Sequence, residues 1–136
     1  MRRFSLALLL ITASAGAADA LVLSCFPDGP KEQRKFEAYV DGFVPDQYPP
    51  QKIEAVRVLG RMGEDVFEYF PEHTKLAEFR DGVLRLHLLQ PLSAGETAEI
   101  RFEGKVGTTK GEPFKMTMFM RSERRTAEGG VRCTID

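Results

Sequence analysis

The chain has 136 residues, 43% of them hydrophobic and 29% charged, with a formal net charge of −1. That length fits one domain with a core of its own. The near balance of charge excludes the basic excess needed for broad binding to nucleic acid or anionic membrane.

Residues 1–20 read as a secretory signal peptide. Met1-Arg2-Arg3 is cationic, Phe4 to Ala15 is apolar or small, and Ala18-Asp19-Ala20 is an A-x-A cleavage site. The apolar run spans about 12 residues, short of the roughly 20 that cross a bilayer as a helix, so no membrane insertion is expected after cleavage. Arg2-Arg3 alone is a poor twin-arginine signal. Val22-Leu23-Ser24-Cys25 looks like a lipoprotein acylation site, but Asp19 separates Cys25 from the apolar run. Removal of residues 1–20 takes away two basic residues and one acidic residue and moves the net charge from −1 to −2. Residues 21–136 are then a single domain, periplasmic or secreted.

Alternation with a period of two dominates that domain. Leu21, Leu23 and Cys25 share one face of a first strand, which Pro27-Asp28-Gly29-Pro30 ends. Lys31-Glu32-Gln33-Arg34 has helix-forming composition but no apolar face. Phe36, Ala38 and Val40 alternate with Lys35, Glu37 and Tyr39 in a second strand. A proline-rich loop runs from Asp41 to Gln51 around Tyr48. Ile53 to Leu59 is a strand, Gly60 and Gly63 bracket a turn, and Asp65 to Phe70 resumes the sheet. Glu72 to Ala77 is a weak helix candidate. Asp81-Gly82 between two alternating runs predicts a type I′ hairpin, because both central residues must take positive φ. Leu84, Leu86 and Leu88 then face inward, with Arg85 and His87 outward. After a turn over Pro91–Gly95, Ala98, Ile100, Phe102 and Val106 face inward and Glu99, Arg101, Glu103 and Lys105 outward. Phe114, Met116, Met118 and Met120 alternate with Lys115, Thr117, Phe119 and Arg121. Arg121, Arg124 and Arg125 read as a solvated turn, Gly129-Gly130 ends the last loop, and Val131, Cys133 and Ile135 close the chain. The expected fold is all-β: a small antiparallel sandwich or barrel of about eight strands.

Cys25 and Cys133 are the only two cysteines. In an exported chain an even pair reads as a disulfide. Its short Cα–Cα reach makes the first and last strands neighbours, either side by side or facing across a core.

Chemistry-bearing motifs are few. There is no G-x-S-x-G elbow in the mature chain, and no serine sits beside His73 or His87 in a way that would activate it. Glu64/Asp65 and Glu68/Glu72 are paired carboxylates of a kind common on solvated faces. Gly104 to Gly111 resembles a phosphate loop but fails the G-x-x-x-x-G-K-[ST] spacing and bridges two strands. No catalytic residue or cofactor is assigned, and the chain reads as a binder rather than an enzyme. Met116, Met118 and Met120 place three thioethers on one strand face, a donor set suited to Cu(I) that His87 or Met62 would complete. The same row also reads as core packing, since methionine fills gaps in β interiors. Two histidines are too few for a zinc site. Tyr39 and Phe119 on polar strand faces, and Tyr48 in its loop, are candidate anchors for an envelope protein or a small ligand.

A small exported β domain with one cysteine in its first strand and one in its last is similar in layout to periplasmic lysozyme inhibitors of the membrane-bound/C-type class. The resemblance is architectural. It implies a compact β-barrel that blocks an enzyme's cleft with a loop, and no functional residue carries over.

Overall fold

In the computed structural model, the described residues are 21–30, 34–44, 48, 50 and 52–136. The segment 1–20 and most of Lys31–Arg34 lie outside them. Among the described residues nine strands form one antiparallel sheet: β1 (Val22–Pro27), β2 (Phe36–Phe43), β3 (Ile53–Met62), β4 (Asp65–Tyr69), β5 (Thr74–Arg80), β6 (Val83–Pro91), β7 (Thr97–Lys105), β8 (Phe114–Arg121) and β9 (Thr126–Ile135). Their order is β4-β3-β2-β1-β9-β8-β7-β6-β5. Every neighbouring pair but one is a hairpin in sequence. The exception is β1 with β9, which joins two meanders into one sheet.

The sheet curls so that β5 packs against β3 and β6 against β4. Among the described residues no backbone ladder joins β4 to β5. The seam is bridged by side chains, as where Gln90 Nε2 donates to the Glu68 carbonyl at 2.7 Å. The result is an open barrel around one core, fed by the inward residues of every strand except β5, whose Phe79 packs against it. Leu23, Val40, Leu84, Leu88, Ile100 and Ile135 are fully shut from solvent. Alternation is the cause: a strand with one face wet and one face packed keeps every second side chain inside.

Cys25 and Cys133 are register partners across β1 and β9, with Cα atoms 4.1 Å apart and sulfurs bonded inside the core. Asp81 (φ 54°) and Gly82 (φ 78°) make the β5–β6 turn with both central residues at positive φ, as the Asp-Gly signal implies.

The structure differs from the sequence reading at several points. β2 continues through Asp41 to Phe43, which the proline-rich loop was expected to include, and a register shift lies between Asp41 and Phe43. Gly60 lies within β3, not at a turn. It faces inward where a Cβ would stand 2.7 Å from Met120 Cε, so the absent side chain makes room for that methionine. Gly129 and Gly130 lie within β9, opposite Met118 and Thr117, because the β8–β9 turn comes earlier, at Ser122–Arg125. The expected helix over 72–77 is only a single 3-10 turn at Pro71–His73, and residues 74–77 belong to β5. Pairing with β6 overrides the local helix preference there.

The disulfide closes a loop with a sequence separation of 108. Chain entropy then gives a loss of roughly 4–5 kcal/mol on reduction, measured by denaturant unfolding. The intact mass should lie about 2 Da below that of the reduced protein. Thiols that titrate in the unfolded but unreduced protein would refute the bridge.

Candidate binding surfaces on the outer face

The interior is filled by side chains, so chemistry or recognition falls to the outer faces and the rim. On the outer face of β1–β4 the register places Tyr39 beside Leu59, and Ser24 beside Tyr39. Leu59 in turn stands opposite Glu68, and Arg61 opposite Val66. Leu59 is 43% exposed and Val66 59%, two of the three exposed large apolar residues among those described. The Phe26 and Tyr39 rings meet edge to face at 5.8 Å. Tyr39 and Leu59 stand in one cross-strand row, and Phe26 and Val66 at the two ends of the next, so the four make a bent apolar stripe over four strands.

The Glu37–Arg61 pair stands between Phe26 and Val66 in their row, and a second charged pair lies beside Leu59. Arg61 Nε donates to Glu37 Oε2 at 3.2 Å, and Arg57 Nη2 approaches Glu68 Oε2 at 3.5 Å. A depression of about 260 Å³ opens beside Tyr39 and Leu59, with Val22, Asp41, Arg57 and Glu68 around it. Burial, and then the Glu37 carboxylate, push the Tyr39 phenol above its ordinary pKa. It therefore remains a neutral hydrogen-bonding group throughout the physiological range.

The other aromatic candidates lie elsewhere. Tyr48 packs against the core and its hydroxyl donates to the Gly107 carbonyl at 3.3 Å. That bond ties the proline-rich loop to the β7–β8 connection. Phe119 lies on β8 under the Arg101 guanidinium, 4.6 Å from its ring centre. Of the three aromatics read from the sequence, only Tyr39 joins the stripe.

Met116, Met118 and Met120 all point inward. Met118 and Met120 are fully buried and Met116 is 3% exposed. Met62 is buried in the same core, whereas His87 lies on the outer face, where its Nε2 contacts Glu99. The two histidines are held separately, since His73 Nδ1 accepts from the Phe70 backbone N–H at 2.9 Å. Among the described residues no group of three or more His, Cys, Asp or Glu side chains is arranged to hold a metal ion.

Glu99 is the largest departure from the expected pattern. It sits at an outward position of β7 yet is only 6% exposed. Three side-chain nitrogens cover it: Arg121 Nη2 at 2.6 Å, His87 Nε2 at 2.7 Å and Arg101 Nε at 3.2 Å. The register explains the convergence, for Glu99 stands opposite Arg121 on β8, and His87 opposite Arg101 on β7. Burial alone would raise the Glu99 pKa. The hydrogen bonds from Arg121 and His87, with the charge of Arg101, outweigh it and hold the carboxyl below its ordinary value. Arg124 and Arg125 are likewise paired rather than simply solvated. Arg124 Nη2 and Arg125 Nε each donate to Asp65 at 2.9 Å, tying the β8–β9 turn to the start of β4. Alternation alone marks Glu99 as one more solvated carboxylate. The usable signal was Arg121 directly opposite Glu99 on β8 and His87 diagonal to it on β6, and it appears only once strand register is known.

Comparison with protein-family models, with curated proteins and with solved structures finds no match to this chain.

Glu99→Gln should cost roughly 1–3 kcal/mol at neutral pH, since it removes a charged acceptor from several donors. The folded Glu99 carboxyl titrates below the ordinary 4.5, so its contribution is present above that pH and is lost as the pH falls through the folded value. Urea melts of both proteins between neutral pH and the acid range should show the stability gap closing below that point. A gap that stays constant with pH would contradict this assignment.

Proposed function

We propose that this protein is an exported binding or inhibitor-like module that docks a partner protein through the outer face of β1–β4. The observation that carries this reading is the apolar stripe Phe26–Tyr39–Leu59–Val66, whose two aliphatic members are 43% and 59% exposed on an ordered sheet face. Exposed aliphatic side chains gathered with aromatic ones, ringed by polar pairs, have the composition of an interaction surface. A strand scaffold holds them at low entropic cost, because the backbone under them is already ordered. Export is supported by the signal-like residues 1–20 and by the Cys25–Cys133 bridge, which suits an oxidising compartment. No nucleophile–base pair converges on the stripe, so recognition rather than turnover is the activity assigned to it.

The test is capture from envelope extract on the immobilised mature protein. Wild type should retain one dominant protein. Leu59→Glu and Val66→Glu should each weaken retention about tenfold or more, the scale of a central interface residue. Thr117→Glu, on the exposed face of β8, should not. An empty capture, or retention indifferent to both stripe variants, would overturn the reading.

A further inference from the structure

A net charge of −1 conceals how the fold divides the charged residues. Strands β1–β4 carry two Lys and Arg against five Asp and Glu, a balance of −3. Strands β5–β9 carry eight against four, a balance of +4. The core cluster is hydrophobic, so these charges lie outside it. One meander is acidic on its outside and the other basic.

Register neutralises most of this charge. Arg85 stands between Glu78 on β5 and Glu103 on β7, and Arg121 stands opposite Glu99. On the acidic half Arg57 and Arg61 stand opposite Asp41 and Glu37. Lys115 on β8 breaks the pattern, because its register partner on β9 is Arg132. Like charges directly opposite each other destabilise a sheet. Lys105 adds to the conflict. The β7–β8 ladder reaches Glu103↔Thr117, and the next outward positions on the two strands are Lys105 and Lys115. The strands are still adjacent there, since a Cβ built on Gly104 would stand 3.0 Å from Met116 Cα. Lys105, Lys115 and Arg132 thus form a row across three strands spaced about 4.8 Å apart. Val83 on β6 continues the row, and Arg80 on β5 ends it.

All four cations are exposed. The nearby carboxylates Glu78, Glu103 and Asp28 are held by arginines, and among the described residues Lys105 and Lys115 have no ion-pair partner. Asp81 borders the same depression as Lys105 without forming an ion pair with it. Arg132 and Asp28 are both more than half exposed, and a pair so exposed is weak and readily exchanged. A line of cations left without counter-charge fits a linear polyanion lying across the strands.

The surroundings narrow its chemistry. No open aromatic face serves base stacking: Arg34 lies over the Phe26 ring and Arg101 over the Phe119 ring. The exposed Leu76 stands two rows away, so the row has no apolar anchor for a bilayer. Beside the row Thr117 and Gly130 are register partners, and a Cβ on Gly130 would meet nothing within 4 Å. That leaves a flat strip with one hydroxyl, a surface on which a sugar ring can lie.

We propose that the outer row Arg80, Lys105, Lys115 and Arg132 binds a linear acidic polysaccharide, whose uronate carboxylates pair with successive cations. The proposal goes beyond the docking stripe, which lies on the acidic half, and does not rest on it.

The probe is an oligogalacturonate decasaccharide, titrated at low ionic strength into the isotopically labelled protein with its disulfide intact. Saturable shifts should centre on the amides of Lys105, Lys115 and Arg132 and fade as salt is added. Lys105→Gln/Lys115→Gln should weaken binding about tenfold or more. Its urea midpoint should equal or exceed that of wild type, because the variant relieves repulsion. Lys75→Gln removes an exposed charge of β5 outside the row and should leave the affinity unchanged. The methyl-esterified decasaccharide, the same chain without charge, should not bind. Absence of saturable binding overturns the proposal. So does an equal loss in the Lys75 variant, which would reveal attraction to net charge alone. A lowered midpoint in the double variant also overturns it, since the lysines would then serve the sheet. Tighter binding of decathymidylate or of anionic phospholipid vesicles would overturn it and assign the row to nucleic acid or membrane.

Discussion

The whole barrel depends on the ladder between β1 and β9. All other strand neighbours are consecutive in the chain, so each of those pairs closes a short loop at small entropic cost. The β1–β9 pair instead joins residues more than a hundred positions apart. Without it the sheet separates into a β1–β4 meander and a β5–β9 meander, linked covalently only through the 3-10 turn at Pro71–His73. The Cys25–Cys133 bond lies inside that ladder, at paired positions. It pins the contact with the greatest loop-closure cost, where a covalent constraint on the unfolded chain has most effect.

The same pairing shapes the surface around it. Because β1 is held by two neighbours, its outward Phe26 stays beside Tyr39, which stands opposite Leu59 on β3. β9 runs on past the end of β1, and a cleft bordered by Arg34, Lys35, Arg124 and Arg125 lies beside that extension. Arg34 lies at the join, stacked on the Phe26 of the stripe while lining the cleft.

Buried charge on the outer face follows a different logic. Glu99 leaves water because the His87 imidazole from β6 and the guanidinium groups of Arg101 on β7 and Arg121 on β8 close over it. A carboxylate so covered is stable only with its donors in place, so the cluster rewards correct registration of three strands. Asp65 does the equivalent at the barrel end, where Arg124 and Arg125 hold the β8–β9 turn to β4.

Alternation, turn residues and the two cysteines were enough to read the all-β class, the inward leucines of β6, the inward methionines of β8 and the Asp81-Gly82 hairpin. These are local properties: a period of two and a positive φ are written in neighbouring residues. Glycine misled, because Gly60, Gly129 and Gly130 look like turn signals but lie within strands, and at Gly60 the reason is a methionine from a distant strand. The position of Tyr39 on an outward face was legible, whereas its union with Leu59, Val66 and Phe26 was not, since cross-strand neighbours come from register. The cover over Glu99 was hidden for the same reason. Sequence alone determined which side chains turn inward and which cysteines are available to bond. Tertiary structure alone decided which outward residues meet, because that depends on pairing between segments far apart in the chain.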